Sequence, residues 1–192
     1  MLALLSIGTV TFMSCGKETL IEKNNKKISS VKSYASMEEV FNSSDTQALK
    51  SSDEIIHKAE LMNLSIKISN FIKNNYNQNF SPNINEDYMA VIIMGIGYLA
   101  NELNGNIVHL PDGKVTLGGQ TEINNNNFGD CLITTFMSII GVKDVMGLVN
   151  DFKNGVSPNT ILKTGKVMAR RVATAFTVAI ALVEFGDCME WW

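Results

Sequence analysis

Between residues 53 and 75, Glu60, Asn63, Lys67, Asn70 and Asn74 recur every three or four positions, while Ile55, Ile56, Ala59, Met62, Ile66 and Ile68 lie off that polar stripe. Side chains three and four apart share one face of a helix, so the spacing predicts an amphipathic helix. Ser51 with Glu54 has the spacing of a capping box, in which a hydroxyl and a carboxylate reciprocally satisfy free backbone N–H groups. Ser36 with Glu39 repeats it and predicts a short helix over SMEEVF. NYNQNFSPNINED reads as a loop, since Pro82 holds Ser81 out of helical geometry. From Met89 to Ala100 the chain is apolar throughout, which predicts a nearly buried helix whose Gly95 and Gly97 let a neighbour come close. Asp87 and Glu102 bracket this run too tightly for a bilayer span.

The pattern then changes. Ile107, Val108 and Leu110, a Pro-Asp-Gly turn at 111 to 113, then Val115 and Leu117 predict a β-hairpin. Leu132, Ile133, Phe136, Met137 and Ile140 return to helical spacing behind Asp130, a candidate N-cap. VKDVMGLVNDF predicts a short helix after Gly141, and Gly155 with Pro158 marks the break before a last helix. In that last helix Lys163, Lys166, Arg170, Thr174, Thr177 and Glu184 form the polar stripe, with Ile161, Met168, Val172, Phe176, Ala179 and Leu182 facing elsewhere. The expected fold is mainly α: one domain over 36–192 of about four to five helices, with N-terminal helices in 36–106, one hairpin insertion at 107–118 and C-terminal helices in 130–192.

Composition narrows the partners. With 192 residues, 45% of them hydrophobic and 18% charged, the chain can bury a substantial core. A net charge of -3 leaves no cationic excess to neutralise phosphates, so nucleic acid is not an expected partner. Asn clusters at 74, 75, 77, 79 and 124–127 suit caps and turns.

The opening MLALLSIGTVTFMSC is apolar from Leu2 to Met13 and too short to span a bilayer, so it reads as the core of a signal peptide. Its end, Phe12-Met13-Ser14-Cys15, resembles the lipobox of bacterial lipoproteins; Ser14 and Cys15 match, while Phe12 and Met13 depart from the usual leucine and small residue. The resemblance implies a signal peptide over 1–14, lipidation of Cys15 and a flexible tether over 15–35. It further implies a cell-envelope protein lipid-anchored to a bacterial membrane, inner or outer, with that membrane and a protein of the envelope as partners. Lys17 and Glu18 resemble surface-export signals of Bacteroidota lipoproteins. The competing reading is a disordered N-terminus on a cytoplasmic protein.

Candidate chemistry centres on a tetrad written twice, FGDC at 128–131 and 185–188. Lipidation of Cys15 would leave Cys131 and Cys188 as an even pair, and an even pair in an exported protein usually bonds. Cys131 stands at the start of one helical segment and Cys188 just past the end of the last, and antiparallel packing brings such ends together. Alternatively Cys131 is a nucleophile activated by a helix N-terminus, since FGDCLITTFMSII resembles the Asp-Cys start of the catalytic helix in papain-like and bacteriocin-processing peptidases. Such enzymes need a histidine, normally downstream, and none follows Cys131. His57 reads as a residue of a helix's polar side, His109 as a strand residue, and Gln120 as an oxyanion donor or a loop residue. Asp130 and Asp187 read as cap and turn residues. No metal-ligand spacing and no phosphate-binding loop is present, so neither a metal nor a cofactor is expected.

The ending VATAFTVAIALVEFGDCMEWW resembles tails of small secreted Bacteroidota proteins, some bacteriocin-like; Trp191 and Trp192 would suit a membrane interface or cover the core. The sequence thus points to a lipid-anchored binding or structural module, with a membrane-active, bacteriocin-like toxin or a cysteine peptidase using Cys131 as alternatives.

Overall fold

The computed structural model describes residues 33–103, 108–109, 115–116, 131–172 and 174–192. The signal peptide over 1–14, Cys15, the tether as far as Lys32, the 110–114 turn, Gln120 and Asp130 lie outside the described residues. Within 33–192 the elements are α1 (Met37–Asn42), α2 (Thr46–Leu49), α3 (Glu54–Asn75), α4 (Ile84–Leu103), β1 (Val108–His109), β2 (Val115–Thr116), α5 (Phe136–Ile140), α6 (Val142–Lys153), α7 (Pro158–Ala169) and α8 (Ala175–Cys188). Residues 131–134 form a further helical turn. The fold is mainly α.

Helix α4 is the central post. Every side chain from Ala90 to Glu102 is buried, and α1, α3, α6 and α7 all pack against it. A helix apolar on all sides needs neighbours on all sides. Its glycines make the approach possible: a methyl group on Gly97 would stand 2.5 Å from Leu148 Cβ of α6, and one on Gly95 would stand 2.8 Å from Ile68 Cδ1 of α3. Helix α7 comes as close through its own Gly165, where an added Cβ would meet the Ala90 carbonyl oxygen at 2.8 Å.

The chain breaks into more pieces than expected: eight helices among the described residues instead of four or five. The expected last helix is two, α7 and α8, because the Thr174 side chain accepts a hydrogen bond from Thr177 N and starts a new helix. Gly141, at φ 100, breaks the chain between α5 and α6. Cys188 is the last residue of α8 and not just past its end. Helix α4 begins at Ile84, so INED is its first turn and not loop. Ser36 caps α1 as expected, accepting from Glu39 N, while Glu39 reaches back to Ala35 N. At α3, by contrast, Asp53 and not Ser51 is the cap, and Ser51 Oγ accepts from Asp53 N.

The expected face of α3 is also corrected. Ile55 and Ile56 are exposed, whereas His57, Glu60, Leu61, Leu64, Ile68, Phe71 and Ile72 are buried. Apolar residues surround this helix, so their spacing fixes its existence but not its phase.

Between α4 and the C-terminal helices, β1 and β2 pair antiparallel, Val108 opposite Thr116 and His109 opposite Val115. Two residues on each side do not establish the hairpin expected over 107–118. Among the described residues no single helix is long and apolar enough to cross a membrane; residues 131–140 and α6 would suffice together in length and hydropathy, but they bend by 105°.

Candidate functional site

The C-terminal corner brings Cys131, the one described residue of the first tetrad, to the second tetrad at 185–188. Cys131 and Cys188 stand at disulfide distance, Cα to Cα 5.7 Å, joining the helical turn at 131–134 to the end of α8. The second tetrad is the last turn of α8, where Phe185 and Gly186 pack and Asp187 stays at the surface. Phe185 is fully buried, with ring centroids 5.2 Å from Phe136 and 5.2 Å from Trp191. Gly186 lies under the Trp192 ring, which a side chain there would collide with. Asp187 is 3.9 Å from Lys50 Nζ, across solvent-exposed surface.

Beyond Cys188 the chain closes the helix with a Schellman motif. Trp191 N donates to Gly186 O at 2.9 Å and Glu190 N to Asp187 O at 3.2 Å, with Glu190 at φ 56. Trp191 then packs on the core, and its indole N–H donates to Glu38 Oε1 at 3.1 Å. Of the two readings of the tryptophans, Trp191 takes the core-covering one.

The described residues do not assemble a nucleophile and its base. Cys131 is fully buried. His57, expected on a polar face, is buried; its Nδ1 lies 3.4 Å from Ser51 O, and its ring is 5.5 Å from that of Phe176. No hydrogen bond joins it to Cys131, which stands at disulfide distance from Cys188 instead. For His109 only the backbone is described. Among the described residues no group of three His, Cys, Asp or Glu side chains is placed to hold a metal.

Glu60, expected on the polar stripe of α3, and Glu102, expected to bracket the apolar run, are both buried. Glu102 Oε2 accepts from Met37 N at 2.8 Å, and Glu60 Oε1 accepts from Asp45 N at 2.9 Å. Each thus places a carboxylate at the N-terminus of a short helix, α1 or α2, where the free N–H groups favour negative charge. Asp87, also buried, pairs with Lys166 at 2.9 Å and ties α7 to α4.

A polar cluster lies inside the aromatic packing near the end of α4. Tyr98 meets Phe71, Tyr76 and Phe152 edge-on, with centroids 4.9 to 5.6 Å apart. The hydroxyls of Tyr76 and Tyr98 and both side-chain polar atoms of Asn101 have no partner at hydrogen-bonding geometry. Burial pushes the Tyr76 phenol up to about 12, and the Glu102 carboxylate adds to the shift. Burial raises Tyr98 further, helped by Tyr76 and Glu102. Both phenols therefore stay protonated at neutral pH, and neither can act as a base there.

An open groove of about 320 Å³ runs between α6 and α7, lined by Asp144, Lys163, Thr164, Val167, Met168 and Arg171. Arg171 Nη1 donates to Asp144 Oδ2 across it at 2.9 Å. No family model, curated protein or solved structure matches the chain.

Proposed function

We propose that the chain is an exported lipoprotein, held to a bacterial membrane by lipid on Cys15, whose helical domain acts by binding or as structure and not by catalysis. The observation that carries this reading is the approach of Cys131 to Cys188. Cys131 and Cys188 stand side by side at the C-terminal corner and need no third cysteine, and Cys15 follows directly behind the apolar run in the sequence. A disulfide between the other two fits an oxidising compartment beyond the membrane. The same pairing weighs against the peptidase reading, since a bonded sulfur is no thiolate.

Fractionation of the producing bacterium tests the anchor. The unaltered chain is expected in the membrane fraction and in the detergent phase after phase partition, and Cys15→Ala is expected to leave the detergent phase. Identical partitioning of the two proteins would overturn the lipoprotein reading.

A further inference from the structure

The charges of this acidic chain are segregated. Residues 142–171 carry six cationic and two acidic side chains, whereas 33–103 carry nine acidic and four lysines, and 174–192 carry three acidic and none cationic. The cationic stretch is α6, the four residues after it, α7, and Arg170 and Arg171 just past the end of α7. Both helices bury one face against α4, and the opposite faces are solvent-exposed. Lys143, Met146 and Asn150 are exposed along α6 at positions i, i+3 and i+7, and Lys163, Val167 and Arg170 along α7 at i, i+4 and i+7. The first stripe sets Met146, 46% exposed, beside one cation, and the second sets Val167, 50% exposed, between two.

Two of the cations are already engaged, Lys166 with Asp87 and Arg171 with Asp144. Those bonds fix α7 to α4 and α6. Lys143, Lys153, Lys163 and Arg170 form no ion pair among the described residues. A layer of unpaired cations interspersed with exposed apolar side chains is the chemistry that adsorbs to an anionic lipid surface, where head groups attract the charges and the apolar groups enter the interface.

We propose that the outer face of α6 and α7 is the surface by which this domain lies on an anionic membrane, with Lys163 and Arg170 at its centre. A lipid surface is favoured over an acidic protein because it rests on the anchored reading above: a tether of about 20 residues spans at most roughly 70 Å and keeps the domain beside a membrane. There even weak attraction suffices.

The test separates this face from the anchor by using full-length, non-lipidated Cys15→Ala protein. Sedimentation is measured with vesicles of phosphatidylglycerol and phosphatidylcholine in equal parts, and with phosphatidylcholine alone. Binding common to both vesicles reports the apolar N-terminus, so the anionic preference is the readout. We expect a salt-sensitive preference that falls about fivefold for each of Lys163→Gln and Arg170→Gln. Lys73→Gln, an exposed lysine of α3, should leave it unchanged. A preference equal in all variants would assign it to the lysines of the N-terminal segment and overturn the proposal. Absence of any anionic preference, with retention on immobilised polyglutamate that depends on Lys163 and Arg170, would overturn it in favour of an acidic polypeptide. Neither result bears on whether Cys15 is lipidated.

Discussion

Single glycines decide how closely these helices approach, and the sequence does not distinguish them from one another. Gly147 on α6 has open space where a side chain would go, while Gly165 on α7 faces the backbone carbonyl of Ala90. Alanine is better than glycine in a helix by about 1 kcal/mol, so Gly147→Ala should stabilise the domain by about 0.5–1 kcal/mol. In Gly165→Ala the same gain is outweighed, because the carbonyl belongs to a helix locked on several sides and cannot yield as a flexible side chain would. Overpacking of this kind costs about 1–3 kcal/mol, so the denaturation midpoint should fall. Urea denaturation of the two variants beside the parent checks both signs. Composition announces glycines and an apolar run, but the distance to the next helix is a tertiary fact. The same holds for Glu60 and Glu102: each reads as a surface residue until a short helix from elsewhere in the chain presents its free amides.

At the scale of elements, periodicity revealed where helices exist and caps revealed some of their starts, as at Ser36. What it missed has one physical cause. Where apolar residues run right round a helix, as in α3, or where polar threonines interrupt an apolar stretch, as at Thr174, neighbouring elements choose the phase and the break. The cysteine pair was legible because it needs only helix ends that antiparallel packing brings together. Cys131 and Cys188 lie 57 residues apart, and closing such a loop removes chain entropy from the unfolded state worth about 4 kcal/mol. Cys188→Ser should therefore lower the stability of the domain by about that amount and leave Cys131 as a free thiol. Denaturation with and without reductant measures the first effect. If the reductant shifts the parent's midpoint no more than that of Cys188→Ser, the two cysteines are not bonded.

Across the whole domain, one post and one latch account for its unity. Helix α4 is shared by α1, α3, α6 and α7, so none of these can leave without uncovering it. The latch is Trp191, whose indole holds Glu38 of α1 from 153 residues away and so ties the end of the domain to its beginning. The chain has two tryptophans, both in this corner, so their fluorescence reports the latch alone, whereas far-ultraviolet dichroism reports helices everywhere. If the latch were an appendage, its fluorescence would change before the helices melt. The buried contact of Trp191 with Phe185, itself packed on Phe136 and beside the cysteine pair, joins the latch to the core. Cooperative unfolding should follow, with both probes giving coincident transitions in urea. Glu38→Gln should shift the two together by about 1 kcal/mol or less, because it weakens one partly buried hydrogen bond without removing the indole from the core. An earlier fluorescence transition in the parent protein would instead divide the domain into a stable post and a separately opening corner.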